Sequence, residues 1–399
     1  MSEAIGPLSS IDAAEIRERV RAAGVVGAGG AGFPTHIKLQ ARVDTVLVNA
    51  AECEPMLKVD QQLMAQQADR LIRGLGYAMT ATGAREGIIA LKAKYAPAIA
   101  ALTPRLPEWA RLHILPDVYP AGDEVLTIWL ATGRRVPPAA LPVSVGVVVN
   151  NVQTVLNIAR AVEQGYPVTR RTLTVNGAVA RPLTLAVPLG ISLREVLDLA
   201  GGATVDDPGF INGGPMMGSL ITSLETPVTK TTGGLLVRAV NYRQAATPSL
   251  LLSALTCSEC NVCESVACPV GISPMRINRL LKRELRAKNL RYDGSLRPAD
   301  EMAKHRLVPV KRLISKLGLD PWYQEAPLTA VEPEVACVTL PLRQHIGISA
   351  VPCVAPGERV TRGQVLADIP ADALGAPVHA SIDGLVSAIT EQAITLVRG

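Results

Sequence analysis

Short apolar runs alternating with helical periods constrain this chain most. Residues 45–49 (TVLVN), 87–91 (GIIAL), 112–116 (LHILP) and 145–149 (VGVVV) are strand-sized and lie beside Gly, Pro or Asn. Between them, residues 61–77 repeat apolar side chains at helical spacing, and a second helix follows Tyr95. A third opens at Tyr119-Pro120-Ala121-Gly122-Asp123-Glu124, and a fourth follows Asn150-Asn151. Ahead of the first strand, Ser9 and Ser10 can cap a helix with Ile16 and Val20 on one face, stopped at Gly24. Strands alternating with helices predict an α/β domain over residues 1–168.

From residue 170 the rhythm changes. Residues 173–175 and 184–187 predict a hairpin with an Asn176-Gly177 turn. Residues 193–200 form a helix ended by Gly201-Gly202, and Gly213-Gly214-Pro215 and Gly233-Gly234 punctuate further short strands. A small β domain over 169–246 fits this pattern. Residues 247–325 hold a cysteine block and a helix begun by Ser273 and Pro274, with Ile277, Leu281 and Leu285 on one face. Residues 326–335, with Pro327 and Pro333, read as a linker. Short strands separated by Gly357, Gly363, Gly375 and Gly384 make 336–399 a small barrel or sandwich.

Several function classes recede at this point. No apolar run approaches the 18 or so residues that a membrane helix needs. The start, Met-Ser-Glu-Ala, has neither the basic nor the apolar region of a secretory signal. A dispersed net charge of +5 and an aromatic content of only 3% offer little to nucleic acid.

Seven cysteines without an export signal point to thiols or metal. Four stand as Cys257-x2-Cys260-x2-Cys263-x4-Cys268-Pro269, a spacing that can wrap one [4Fe–4S] cubane. Zinc is the rival, but structural zinc usually takes two separated CxxC knuckles. Four buried free thiols at this density are the bland alternative. With a single block, Cys268 closes its own cluster, unless Cys337 or Cys353 substitutes.

Gly27-Ala28-Gly29-Gly30-Ala31-Gly32 is not a Rossmann fingerprint, because a helix precedes it and Phe33-Pro34-Thr35 follows. Taken alone it is a tight turn. However, Asn49 with Glu52, Gly122-Asp123-Glu124 and Asn150-Asn151 each follow a predicted strand, where open α/β sheets bind ligands. Singly each is a turn or a cap; jointly they suit a flavin. The basic residues of 276–291 read as a solvated helix face before a docking surface, and the five histidines are scattered, none assigned to metal.

The strings at 27–35, 49–55, 119–124 and 150–154 resemble the flavin domain of RnfC-type proteins and, more distantly, the flavin- and NADH-binding subunit of respiratory complex I. Residues 213–218 (GGPMMG), the cysteine block, 308–314 (VPVKRLI) and 378–384 (VHASIDG) are similar, more narrowly, to the PduS-type cobalamin reductases of propanediol-utilization microcompartments. The resemblance covers nearly the whole chain from Ile11. It implies an N-terminal α/β flavin-binding domain, an SLBB-like β-grasp domain, a helical iron–sulfur segment and a C-terminal lipoyl-like β domain. That last hairpin carries His379-Ala380-Ser381 and no Lys, so it cannot be lipoylated.

The resemblance also implies FMN contacts at Gly27, Gly29, Lys38, Asn49, Glu52, Tyr119, Gly122, Asp123, Glu124, Asn150, Asn151 and Thr154. It puts the nicotinamide near Gly30, Phe33 and Glu54, with Glu54 and Lys38 in catalytic roles. Ala51 departs from the complex I pattern, which has an acid there. Relatives carry two cluster blocks, whereas residues 237–256 contain no Cys, so one block is missing.

The implied activity is electron transfer from NADH through FMN and one cluster to cob(II)alamin. The implied location is the cytoplasm, inside or attached to a microcompartment. The implied partners are cobalamin or its adenosyltransferase, and the shell or another redox protein; homo-oligomerisation is left open. The alternatives are an RnfC-like NADH dehydrogenase subunit feeding another redox protein or a membrane complex, a non-catalytic wiring subunit, and a ligand-binding β-grasp protein.

Overall fold

The computed structural model describes residues 11–137, 140–239, 274–287, 289, 307–370 and 373–399. The N-terminal unit runs α1 (Ala13–Ala22), α2 (Thr35–Lys38), β1 (Thr45–Ala50), α3 (Val59–Gln66), α4 (Ala68–Thr82), β2 (Glu86–Lys92), α5 (Ala96–Leu102), β3 (Ala110–Leu115), β4 (Val118–Tyr119), α6 (Glu124–Thr132), β5 (Val147–Asn151) and α7 (Val152–Gln164). Four strands form one parallel sheet in the order β3-β2-β1-β5.

Alternation along the strands covers both faces. Val46, Val48, Ile89 and Leu91 join the large core with Leu71 and Leu75 of α4 and Val155 and Ile158 of α7. Leu47, Ile88, Val147 and Val149 pack with Ile128 of α6 in a second cluster. α4 and α7 touch where Gly74 leaves room: a Cβ there would lie 2.2 Å from the Val155 carbonyl oxygen. Strand order reverses between β1 and β5, so the chain leaves their carboxyl ends in opposite directions and a crevice opens there.

The second unit holds β6 (Arg170–Gly177), β7 (Leu183–Pro188), α8 (Leu193–Leu199), β8 (Pro208–Asn212), β9 (Ser219–Ile221) and β10 (Gly234–Ala239), in the order β7-β6-β10-β8-β9. Ser192 and Glu195 close α8 with a reciprocal capping box. The tail folds into two facing sheets. One joins Cys337–Pro341, Ala393–Val397, Gly384–Ile389 and Arg359–Val360; the other joins Val351–Pro352, Val365–Asp368 and Val378–His379. One contiguous core runs through all three units, from Ile16 and Leu71 through Leu173 and Val237 to Leu340 and Leu396.

Several local expectations change. The helix expected over 61–77 is two helices, broken at Gln67 (φ −126°, ψ 35°). Asp12 caps α1 by accepting from the Glu15 amide at 2.8 Å, whereas Ser9 and Ser10 lie outside the described residues. Asn176-Gly177 is not a hairpin turn: β6 pairs with β7 only as far as Val175 opposite Leu183, and Gly177 pairs with Val237 of β10. Asn176 instead donates to the Met56 and Gln324 carbonyls. The 326–335 stretch is fastened: Gln62 and Thr184 both donate to the Ala326 carbonyl, and the Thr329 amide donates to that of Thr184. Cys257, Cys260, Cys263 and Cys268 lie outside the described residues.

Candidate active site

At the β1/β5 crevice lies a cleft of about 750 Å³, within the range of small-molecule sites. It is lined by Gly27, Gly29, Gly30, Phe33, Lys38, Asn49, Glu52, Glu54, Gly122, Asp123, Glu124, Asn150, Asn151 and Thr154. Every residue expected at the flavin and nicotinamide positions is there except Tyr119. That side chain is buried against Met216, Val308 and Leu313, behind the cleft wall.

The glycine loop is held from below. Thr154, in the first turn of α7, accepts from the Ala28 amide at 2.8 Å. Arg171, reaching across from β6, donates to the Ala28 carbonyl at 2.7 Å and to the Thr232 carbonyl at 2.6 Å. The loop is open at Gly29 and Gly30, whereas a Cβ on Gly32 would run into Thr231 and His345. A Cβ on Gly30 would meet nothing within 4 Å, and one on Gly29 would reach only ordinary contact with Asn151 at 3.7 Å. Protein packing therefore does not demand glycine at position 29; an added methyl would project where the cleft is lined by backbone.

The opposite wall is tight. Asn49 donates from Nδ2 to the Gly122 carbonyl at 2.7 Å, and the Gly122 amide donates to Cys53 Sγ at 2.7 Å. A Cβ on Gly122 would sit 2.8 Å from that sulfur, so only glycine fits there. Burial, opposed by the Lys92 charge, pushes the Cys53 thiol up to about 12, which leaves it an inert packing group. Asp123 caps α6 through the Leu126 amide. Lys38 Nζ donates to the Val149 carbonyl at 2.9 Å and lies 3.7 Å from Glu124 Oε1, a cation at the carboxyl end of β5.

The acids have distinct tasks. Glu52, with φ at 40°, turns back over α3 and accepts from the Val59 and Asp60 amides and from Gln61. It thus caps a helix whose own N-cap, Lys58, supplies no side-chain bond. Burial raises the pKa of Glu52 and pushes that of Asp60 up to about 8, the latter also through Glu52's charge. Asn151 donates to Asp60 at 2.7 Å. Glu54 accepts from the Met216 and Met217 amides at 2.9 and 2.6 Å, fastening the loop 213–218 as the far wall. Burial pushes its carboxyl up to about 7 against those two donors. Asn150 is the exception to this pairing: it is buried, yet its Nδ2 has no acceptor among the described residues. An orphaned donor of this kind in a cleft wall fits a ligand acceptor.

Asp60 and Arg171 were missed from sequence. Asp60 reads as an ordinary helix-start acid, and Arg171 arrives from another unit. The only signal was Arg170-Arg171 in an otherwise apolar strand pattern.

Three family models match: the Nuo51 FMN-binding domain at residues 20–160, the SLBB domain at 172–219 and the RnfC barrel sandwich hybrid domain at 324–399. The cobalamin reductase PduS of Salmonella typhimurium is 72% identical, over all of both chains. The chain belongs to the PduS cobalamin reductase family. It is an oxidoreductase with a flavin-type α/β domain. This PduS family member is also similar to a component of the Na(+)-translocating ferredoxin:NAD(+) oxidoreductase complex of Acetobacterium woodii, with 38% identity over 70% of this chain and 63% of that one. The fold recurs in the crystal structure of an NAD+-reducing [NiFe]-hydrogenase in the H2-reduced state (TM-score 0.50, 22% identity, covering 74% of this chain and 66% of that one). The alignment with the Salmonella PduS runs over 451 positions against 399 residues, so at least 52 of them have no residue here.

Among the described residues, no helix is long and apolar enough to cross a membrane, and no cluster of His, Cys, Asp or Glu is arranged to hold a metal.

Proposed function

We propose that this PduS-family chain is an NADH-dependent reductase of cob(II)alamin that holds FMN in the β1/β5 cleft and one [4Fe–4S] cluster on Cys257, Cys260, Cys263 and Cys268. The observation that carries this is the cleft itself: a bare glycine floor, an unpartnered Asn150 amide and a Lys38 cation meet at the switch point of a parallel sheet. FMN accepts electrons from a nicotinamide in pairs and releases them singly, which matches a two-electron donor to one-electron carriers.

The chain's residues would contribute as follows. Gly27, Gly29 and Gly30 offer backbone at close approach, while Asn49, Asn150 and Asn151 supply polar contacts along the far side. Lys38 offsets negative charge. Thr154 and Arg171 keep the loop in place, and Glu54, clamping 213–218, closes the side where Phe33 and Gly30 leave room for a nicotinamide. Arg279, eleven residues beyond Cys268, lines the same cleft, which ties the cysteine block to it along the chain.

The missing alignment positions fit the lack of a second cluster block, so the chain carries one cluster. Residues 1–168, 169–246, 247–325 and 336–399 serve as flavin, β-grasp, cluster and barrel units. The protein works in the cytoplasm, within or attached to a microcompartment, beside cobalamin or its adenosyltransferase. Anaerobic reconstitution with FMN, iron and sulfide should give one flavin and about four irons per chain, and NADH should bleach the flavin band. A purified chain that takes up iron but no flavin would overturn the proposal.

A further inference from the structure

Behind the flavin cleft lies a second cavity, of about 440 Å³, between α3, α4 and α7 on one side and β6 and residues 328–332 on the other. The two cavities are back to back. Gln153 lines both and bonds β6 through the Thr172 amide and carbonyl. Strand alternation then sends Arg171 into the flavin cleft and its neighbour Arg170 into the second cavity.

Three guanidinium groups line this second cavity: Arg70, Arg160 and Arg170. The helix break at Gln67 brings the first two together. Gln67 Oε1 accepts from Arg70 at 2.9 Å and from Arg160 at 3.1 Å, so two cations stand within about 6 Å, sharing one neutral oxygen. Among the described residues the only acid in the lining is Glu332, which pairs with Arg170 and is itself 73% exposed. The Nε atoms of Arg70 and Arg170 are buried without an acceptor among the described residues. Burial, then the charges of Arg70 and Arg170, hold Arg160 below the ordinary arginine range, with Tyr166 opposing. At the rim, Arg362 of the tail donates to the Tyr166 hydroxyl and adds a fourth cation. Convergent forks with unused N–H groups and too little negative charge are what a phosphate-type anion requires.

We infer that this cavity is a binding site for a phosphate-bearing small molecule, distinct from the flavin cleft. The shared chemistry is a multivalent phosphoryl group, supplied either as free phosphate or as a phosphate ester.

The test is calorimetric titration of the flavin-loaded full chain with inorganic phosphate, pyrophosphate and ADP, against chloride and succinate at matched ionic strength. Saturable binding of the phosphate probes above both controls is expected. Tighter binding of ADP identifies an ester as the source; equal or tighter binding of inorganic phosphate identifies the free ion. Arg70→Gln should weaken binding about tenfold, the loss of one charge-assisted partner. Glu332→Gln removes the competing carboxylate and should tighten binding several-fold, a gain that no folding defect produces. The inference falls if no phosphate probe saturates, if succinate binds as well, if Arg70→Gln binds unchanged, or if Glu332→Gln binds no tighter.

Discussion

Gly29 separates what the fold needs from what the cleft needs. Its neighbours would accept a methyl group at 3.7 Å, so Gly29→Ala should leave the melting temperature within about 2 °C of the parent. The methyl would stand on the cleft floor, and FMN affinity should fall about tenfold or more. Flavin fluorescence titration beside a thermal melt checks both halves; equal losses in both would show Gly29 to be structural. Asn49, Asn150 and Asn151 were legible in the sequence because each closes a strand at the end where ligands bind. Asp60 and Arg171 were not, because their roles arise only when a helix start and a strand of another unit meet at the loop. Tyr119 sits beside cleft residues in sequence, but its own strand turns it into the core.

At the scale of elements, α3 depends on a cap from outside itself. Glu52 supplies it across the bend after β1, with two backbone bonds and one side-chain bond. Glu52→Ala should therefore cost about 1–2 kcal/mol, the usual worth of a lost cap, measured by urea unfolding. Glu52→Gln keeps an acceptor and relieves Asp60 of a neighbouring charge, so it should recover most of that loss; equal destabilisation by both would contradict the capping role. Periodicity located the strands and helices of the first unit well, since a buried parallel sheet writes continuous apolar runs. It could not show the break at Gln67, where both flanks keep helical spacing. It also missed strands Cys337–Pro341 and Ala393–Val397, each only five residues long with Thr interleaved among the apolar side chains.

At the scale of the whole molecule, the three units meet around buried bases. Lys230 donates to the Gly24 carbonyl of the first unit at 2.8 Å and to the Pro377 carbonyl of the tail at 2.7 Å, and burial pushes its pKa down to about 7. His36 is pushed down to about 4, by burial first and then Arg21 and His345; His379 is pushed down to about 3, by burial first and then Lys230. Both histidines are neutral in the fold and take protons more readily when unfolded, near 6.5. Their stabilising contribution is thus complete above 6.5 and is lost as pH falls from there toward 4 and 3. By pH 5 the loss should be of the order of 1–2 kcal/mol per histidine. Glu54 and Asp60, whose carboxyls are pushed up, gain stability over the same range, so the test is the difference between chains: the urea midpoint of His379→Asn should lose less, or gain more, than that of the parent between pH 7.5 and 5, and an identical change in both would contradict the assignment. The most direct measurement supplies the reconstituted chain with NADH under anaerobic conditions in the presence of cob(II)alamin and follows the cob(I)alamin absorption band. Cob(I)alamin should form only when FMN is bound and should cease in a chain with Cys257 and Cys260 replaced by Ser. Flavin that NADH bleaches without any cob(I)alamin appearing would contradict the account.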